Sequence, residues 1–422
     1  MKLLTKLTIR VKNGFLPHLI NEIYKRNCSA KNITLLDTED GLDNFLLDIV
    51  YSNIDKYNSL LNKITKYEDN FQIISSQNML EKEILGGMLK ISGKMPVDNL
   101  IDYEMNVLGA SELTLNMMRG GQDPSKYSGI SKNVGLFCGI PAGSNPEQDH
   151  FKLYTLLERD SIIINKFTGL NAFPILVKLN QFDDFIKIIQ GVESTFAAIR
   201  IFNLEDIDDI SLYERIYDEM NIPILAQYSD EIPLNLLIAV SHLLTKNNIE
   251  KKNCTVGIIG INIGSLRTVR LLIKLGFQRI LGSDNNIKRM HSFEREGGLA
   301  TTQDNILNNS DLIIIFKDQL DVNNLTKVGS GQMLISLIDK ELDINIIRER
   351  GIRDFLQSGW MDSSALFSSI LKGLVDSKLK YLNDDKLIKL SNTIVASKAG
   401  EEILPDVFSE LHQNIPKFVH DL

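Results

Sequence analysis

The pattern of apolar and polar positions divides residues 1–78 into short elements. LTKLTIRV, AKNITLLD, DNFLLDIVY and NFQIISS alternate as strands do, whereas FLPHLINEIYKRN and IDKYNSLLNKITKY carry apolar residues at helical spacing. Together they predict the order βαββαβ, which is that of a ferredoxin-like module. Gly14 follows the first strand, and a glycine there lets the backbone approach a neighbour or a ligand closely.

The pattern after Glu81 is that of an α/β protein. DSIIINKF and AFPILVKL predict strands buried on both faces, FDDFIKIIQGVESTF a helix, NIPILAQY a buried strand, and residues 234–244 an apolar helix. The polar stretch NNIEKKN predicts a connection between domains. TVGIIG, RILGSD, DLIIIF and MLISLI then predict a parallel sheet, followed by a mainly helical tail from SSALFSSILKGLVD onward.

These elements predict three domains, namely residues 1–78, 79–249 and 250–422. A chain of 422 residues is long enough for them, and 43% hydrophobic with 24% charged residues is typical of a soluble folded protein. A net charge of −8 without a basic stripe argues against nucleic acid as a partner. The alternating start and the lack of a long apolar run predict a cytoplasmic protein that does not enter a membrane. Cys28, Cys138 and Cys254 show no metal-binding spacing.

The stretch TVGIIGINIGSLRTVRLLIKLGFQRILGSDNN resembles the start of a dinucleotide-binding domain. Gly260 matches the first glycine of the phosphate turn, Asn262 the second and Ser265 the third, with Gly264 one place early. Asp284 ends the next strand, where an acid bonds a ribose hydroxyl and repels a 2′-phosphate. The turn predicts either weakened nucleotide binding, with NAD preferred over NADP, or no nucleotide binding.

Several phrases along the chain are similar, in their order, to the bacterial-type NAD-dependent malic enzymes that carry an amino-terminal ACT domain. They are EILGGMLKISGKMPV, KFTGLNAFPI, NLEDI, GLVD and ILPDVFS. The resemblance implies an α/β fold with a ferredoxin-like ACT domain, a malic-enzyme-type substrate domain and a Rossmann-like doubly wound parallel-sheet domain. The family oxidises malate with a nicotinamide cofactor and decarboxylates the product to pyruvate with a divalent metal. The ACT-like module is expected either to bind a small-molecule effector or only to dimerise.

The resemblance places a metal site at an adjacent acidic pair, which is Glu205 and Asp206 here. The third carboxylate of the family falls in AQYSDEIP, where Gln227 and Tyr228 stand at the two aspartate positions and Asp230 follows. Asp230 and Glu231 lie close enough to complete the site only if the loop is rebuilt, and two carboxylates alone hold Mg²⁺ or Mn²⁺ poorly. The alternative is a solvated acidic loop.

The catalytic positions of the family are replaced, so no catalytic residue is assigned. The lysine base aligns with Asp160, and Lys166 is too far along the predicted strand to substitute. The tyrosine acid aligns with Asn106, which does not titrate near neutral pH. DKELDI at Asp339 lacks the Asn-Pro pair of the family, and WMDSSA around Trp360 lacks its substrate-binding asparagines.

These replacements favour a catalytically degenerate malic-enzyme-like protein, dimeric, that acts as a ligand-responsive or partner-binding regulator. The alternative is a divergent NAD-dependent oxidoreductase that decarboxylates malate, with a site rebuilt around Asp160, Glu205, Asp206 and Asp230. A third class is a structural partner for an active malic enzyme subunit.

Overall fold

The computed structural model describes most of the chain. The described residues are 3–39, 41–67, 70–81, 84–141, 149–179, 181–204, 210–319, 327–338, 342, 344–357, 359–362, 364–397 and 402–422. Contacts between residues divide the chain into two compact units, residues 1–90 and residues 91–422.

The first unit is a four-stranded antiparallel sheet with two helices. Its elements are β1 (Leu3–Lys12), α1 (Leu16–Lys25), β2 (Ser29–Glu39), β3 (Leu42–Tyr51), α2 (Ile54–Ile64) and β4 (Phe71–Asn78). The sheet order is β2-β3-β1-β4, so the predicted βαββαβ order is confirmed. Alternate side chains of β1, among them Leu7 and Ile9, form the core with α1 and α2. Its assignment as an ACT domain stays a prediction.

Gly14 has a narrower role than expected. Its φ is +83°, in the left-handed region that favours glycine. A Cβ added there would meet nothing within 4 Å. Glycine is therefore required at this turn by backbone conformation, and no close approach of a neighbouring group within the structure requires it.

The second unit begins with a helical segment and a parallel sheet. The elements are α3 (Leu100–Asp102), a π-helical turn (Tyr103–Gly109), α4 (Ala110–Arg119), α5 (Pro124–Tyr127), β5 (Asn133–Pro141), α6 (Asp149–Thr168), β6 (Asn171–Leu179), α7 (Phe182–Val192), β7 (Ala198–Phe202), α8 (Ile210–Glu219), β8 (Ile224–Ala226) and α9 (Ile232–Lys246). The sheet order is β6-β5-β7-β8, and all its pairs are parallel. β6 lies at the edge and is only partly buried, which suits the proline it contains.

The strand predicted for DSIIINKF is wrong, because these residues belong to α6. The buried side chains of α6 are Leu157, Asp160, Ser161 and Ile164. They are three or four residues apart, or adjacent, which is the spacing of one helix face. The run of three isoleucines suggested a strand. The residues before the run favour a helix, and α6 continues through the isoleucines to Thr168.

A second parallel sheet follows. Its elements are β9 (Thr255–Ile259), α10 (Ile263–Lys274), β10 (Arg279–Ser283), α11 (Ile287–Arg295), β11 (Leu299–Ala300), α12 (Gln303–Asn309), β12 (Leu312–Ile315), β13 (Met333–Ser336), α13 (Ile344–Glu349) and β14 (Asp354–Leu356). The strand order β11-β10-β9-β12-β13-β14 is that of a doubly wound dinucleotide-binding fold. The predicted strands of this sheet are confirmed.

The tail is helical, as predicted, with α14 (Leu366–Ser377), α15 (Asp384–Ser397) and α16 (Glu410–His420). One continuous core contains residues of both parallel sheets, of α9 and of the tail. The division at residues 249 and 250 falls in the connection between α9 and β9, and it stays a prediction. Within the described ranges, no helix combines the length and apolar character that crossing a membrane requires.

Candidate functional site

The glycine turn after β9 keeps the conformation of a dinucleotide-binding turn at its first glycine. Gly260 has a φ of +82°. A Cβ added there would lie 2.6 Å from the Cβ and 2.7 Å from the backbone N of Lys317. Any side chain at this position would displace the backbone that follows β12. The fold therefore requires Gly260 whether or not a nucleotide binds.

The second and third positions of the turn bond to each other. The Asn262 Oδ1 accepts a hydrogen bond from the Ser265 N–H at 3.0 Å, and the Ser265 Oγ accepts one from the Asn262 N–H at 2.8 Å. This reciprocal pair is a capping box at the start of α10, and both residues are buried. The start of a helix generally offers unpaired N–H groups to an anion. The N–H groups of Asn262 and Ser265 are not available in this way, because the protein bonds them itself.

Asp284 closes the same turn from the end of β10. Its carboxylate accepts hydrogen bonds from the N–H of Ile261 and of Asn286, each at 2.7 Å, and from the Gln319 amide at 3.1 Å. A carboxylate has about four lone-pair sites. One site is therefore left with which Asp284 could accept a hydrogen bond from a ribose hydroxyl.

The turn fits a nicotinamide dinucleotide only in part. The backbone at the second glycine position normally faces the pyrophosphate, and here the Asn262 N–H already bonds Ser265. The Asn262 Nδ2, by contrast, is buried without a hydrogen-bond partner among the described residues, and an amide N–H suits a phosphate oxygen. The assignment of Gly260, Asn262, Gly264, Ser265 and Asp284 to cofactor binding stays a prediction.

A buried ion cluster connects α6, β7 and the start of α9. The Arg200 Nε and Nη2 donate to the two carboxylate oxygens of Glu231 at 2.6 and 2.8 Å, and Nη1 donates to the Asp160 Oδ2 at 2.7 Å. Asp160 is 0% exposed, Arg200 2% and Glu231 6%. The Phe367 ring stacks on the guanidinium, with its centroid 4.2 Å from Cζ. We call Asp160, Arg200 and Glu231 the ion triad.

The guanidinium and the carboxylates of the ion triad stabilise one another in the protein interior. Burial alone would lower the pKa of Arg200, but the two carboxylates outweigh burial and the pKa is raised. Burial raises the pKa of Glu231, and the guanidinium opposes that rise. The other oxygen of Asp160 accepts a hydrogen bond from the Arg159 Nε at 2.9 Å. The carboxylates of Asp160 and Glu231 are thus both bonded to arginine side chains. A carboxylate bonded in this way is poorly suited to accept a proton from a substrate.

Asp160 is the residue that the malic enzyme resemblance places at the lysine base. The argument against Lys166 assumed an extended strand, and that premise is wrong because both residues lie on α6. Six residues of helix rise about 9 Å and turn the side chain to another face. Lys166 is exposed whereas Asp160 is fully buried. Lys166 therefore still does not replace the base.

Asp230 lies in a second π-helical turn, Gln227–Glu231, directly before α9, and it is buried. Both oxygens accept from the Tyr217 hydroxyl at 2.8 Å, and Oδ2 also accepts from the Ala226 N–H at 2.7 Å. Burial raises the pKa of Asp230 to about 7, although Arg267 and the two hydrogen bonds oppose the rise. Burial, and then the nearby Asp230, raise the pKa of Tyr217. Asp230 thus has protein partners for its oxygens.

The predicted metal site cannot be assembled from the described residues alone. Glu205 and Asp206 lie outside them. Within the described part of the chain, no group of three His, Cys, Asp or Glu side chains has the arrangement of a metal site. The metal assignment of Glu205, Asp206 and Asp230 stays a prediction.

Of the remaining positions that the malic enzyme resemblance aligns with functional residues, the structure describes Asn106 and Trp360. Asn106 is in the π-helical turn and its Nδ2 donates to the Pro96 carbonyl at 2.9 Å. Trp360 packs against the core. Asp339 lies outside the described residues.

Sequence reasoning missed the pairing of Arg200 with Glu231 and the bond of Tyr217 to Asp230. Arg200 had a visible signal, because it is the single charged residue in the apolar run AAIRIF, and a charge inside a buried strand needs a partner. Glu231 and Tyr217 had no such signal, since their partners are distant in sequence.

The chain is related to malic enzymes in sequence, although no family model matches it. It is 19% identical to NAD-dependent malic enzyme 1 of Bacillus subtilis over 78% of this chain and 76% of the relative. It is 21% identical to NAD-dependent malic enzyme of Geobacillus stearothermophilus over 77% of this chain and 74% of the relative.

Solved structures show the same likeness. The NAD-dependent malic enzyme from Thermotoga maritima superimposes with a TM-score of 0.66 at 17% identity, over 82% of this chain and 99% of that one. The malic enzyme from Pyrococcus horikoshii gives 0.64 at 16% identity, over 81% and 90%. The protein therefore has the malic enzyme fold, a mixed α/β fold with parallel sheets. Its sequence relatives support a malic-enzyme-like protein of the NAD-dependent type.

Proposed function

We propose that this protein has lost ordinary malic enzyme chemistry and acts as a dimeric, ligand-responsive or partner-binding regulatory protein. The ion triad carries this proposal. At the position that aligns with the lysine base, Asp160 is fully buried and bonded to Arg200. A general base must reach the proton it removes and must be free to accept it, and Asp160 meets neither condition.

The divergent oxidoreductase is the alternative, and the sequence similarity to NAD-dependent malic enzymes favours it. Such an enzyme needs a divalent cation to hold the hydroxy acid and polarise its oxygen. Glu205, Asp206 and Asp230 are the residues that would hold the cation. The bonds of Asp230 to Tyr217 and Ala226 count against its part in that site. NAD is the cofactor proposed for this alternative, since Asp284 would repel the 2′-phosphate of NADP.

An assay of malate oxidation separates the two functions. Purified protein with malate, NAD and Mn²⁺ or Mg²⁺ is expected to form no NADH above background, because no group at the lysine position can accept the hydroxyl proton. NADH absorbance gives the rate, and the Geobacillus stearothermophilus enzyme is the positive control. Malate- and metal-dependent turnover at about 1 s⁻¹ or faster, which is within the enzymatic range, would overturn the regulatory proposal. Loss of that turnover in Glu205→Ala would establish the alternative.

The helical segment Leu100–Arg119 supports the proposed homodimer. None of its residues is buried. Its large apolar side chains are unusually exposed, with Leu100 at 69% and both Ile101 and Met105 at 66%. Exposed apolar side chains gathered on one segment are typical of an interaction surface. We assign it to a second copy of the chain.

Charges placed on this segment should separate the dimer. Ile101→Glu with Met105→Glu is expected to shift the protein from dimer to monomer, because two carboxylates would be buried unpaired at the interface. Light scattering after size exclusion measures the mass, and circular dichroism checks the fold. Ile287→Glu, an equally exposed isoleucine on α11 at 71%, is the matched control. A monomeric parent protein, or equal dissociation in the control, would contradict the assignment.

Two further proposals come from the sequence. A small-molecule effector binds the first unit near the turn at Gly14, and the protein acts in the cytoplasm. The three cysteines are buried and unpaired, which is in keeping with a reducing compartment.

A further inference from the structure

A cavity of about 330 Å³ opens between α8, α10 and the residues that lead into α15. It lies wholly within the second unit. Its wall includes Tyr217 and Asp218 from α8, Arg267 from α10, and Tyr381. The glycine turn and the ion triad contribute no residue to the cavity wall. This cavity is therefore distinct from the glycine turn and from the ion triad.

One wall of the cavity is aromatic. The rings of Tyr217 and Tyr381 stack with centroids 4.9 Å apart and planes inclined by 14°. Tyr217 is fixed from behind, because its hydroxyl donates to the buried Asp230. A rigid aromatic surface binds apolar groups at low entropic cost.

Arg267 supplies a buried donor at this wall. It is 4% exposed, and its Nη2 lies 2.9 Å from the Asp384 Oδ1 and bonds the Leu382 carbonyl at 3.4 Å. The Arg267 Nε is buried and has no hydrogen-bond partner among the described residues. A buried guanidinium N–H without an acceptor is costly, and a carboxylate is the acceptor that best suits it.

The other two cations of the wall also have acidic partners, as Arg267 has in Asp384. Arg270 pairs with Glu296 at 2.6 Å and with Glu214 at 2.7 Å. Lys274 pairs with Asp384 at 2.9 Å. A second anionic group on a ligand would therefore find no cation here that lacks a partner.

Asp218 gives the cavity an acceptor for a positive group. It lies on α8 one residue after Tyr217, it is exposed, and it forms no ion pair with any described residue. An ammonium group bound there would gain a charge-assisted hydrogen bond. The cavity thus combines an unsatisfied donor for a carboxylate, an acceptor for an ammonium and an apolar wall.

We propose that this cavity binds a small zwitterion with an apolar side chain, of the α-amino acid class. Its carboxylate bonds Arg267, its ammonium bonds Asp218, and its side chain packs on the tyrosines. Because Tyr217 also bonds Asp230, a ligand in the cavity contacts the residue that holds Asp230 in place. The proposal does not depend on loss of malic enzyme activity, and it holds for either function above.

The carboxylate and the ammonium of the proposed ligand are tested with matched probes, which are added to the whole chain. L-phenylalanine and L-leucine are each titrated by calorimetry and in a thermal-shift assay, beside 3-phenylpropionate, which lacks the ammonium, and phenethylamine, which lacks the carboxylate. At least one amino acid is expected to bind and raise Tm. Both analogues should bind at least about tenfold more weakly, the usual effect of one lost charged hydrogen bond. Failure of both amino acids, or equal binding of an analogue, overturns the proposal.

Variants locate the binding. Asp218→Asn is expected to weaken amino acid binding about tenfold or more, and its exposed position leaves the fold intact. Arg267→Lys should do the same, with circular dichroism to check its fold. Glu219→Gln, the neighbouring acid on α8 outside the cavity wall, is the control for charge. His18→Gln, on α1 four residues after Gly14, tests the proposed effector site of the first unit. Binding that Asp218→Asn leaves unchanged, or that His18→Gln abolishes, would place the ligand elsewhere and overturn the proposal.

Discussion

Arg200→Met is expected to destabilise the second unit by about 3–5 kcal/mol, the usual cost of removing one partner from a buried ion pair. The substitution leaves the carboxylates of Asp160 and Glu231 buried without the guanidinium that both of them bond. Urea unfolding followed by the fluorescence of Trp360, the single tryptophan of the chain, reports on this unit.

Arg215→Met is the matched control, because Arg215 forms ion pairs with Asp183 and Glu219 but is 46% exposed. Its loss should cost less than about 1 kcal/mol. Adding Asp160→Asn and Glu231→Gln to Arg200→Met should recover part of the lost stability, because neither buried charge is then left unpaired. Equal small effects of Arg200→Met and Arg215→Met would show that the ion triad contributes little.

Asp230→Asn is expected to become more stabilising, relative to the parent protein, as pH rises. The pKa of Asp230 in the folded protein is about 7, above the ordinary value near 4 of an unfolded aspartate. The folded state therefore holds this proton more tightly. The resulting stability is fully present below about pH 4 and is lost as pH rises through about 7.

The asparagine does not titrate, so the difference in unfolding free energy between Asp230→Asn and the parent should grow by up to about 1.4 kcal/mol per pH unit across that window. Urea unfolding at a series of pH values measures it. Asp376→Asn, at an exposed ion pair with Lys372, is the control. A difference that stays constant between pH 4 and pH 7 would contradict the raised pKa.

Much of the fold was predictable because local pattern and tertiary structure agree. The strands of the doubly wound sheet are short apolar runs bounded by glycine or polar residues, and a parallel sheet buries them on both faces. α6 was not predictable in this way. Its run of isoleucines satisfies both a strand and a helix pattern, and only its packing against the smaller sheet decides between them.

The candidate site was less predictable, because its contacts join distant residues. The exchange of lysine for Asp160 was visible in the sequence, but the partner that makes it a buried ion pair lies 40 residues away. Asp284 was expected to meet a ribose, yet it also bonds the backbone of the glycine turn. A sequence motif identifies which residue stands at a position, whereas its hydrogen-bond partners follow only from the fold.

The capping box has a consequence for how this protein responds to its surroundings. Asn262 and Ser265 complete the start of α10 with their own side chains, so the turn is finished before any nucleotide arrives. A ligand stabilises a protein only through the interactions it adds to the folded state. The start of α10 therefore forms without a nucleotide, and a dinucleotide would raise Tm only through groups that the capping box leaves unpaired, such as the Asn262 Nδ2.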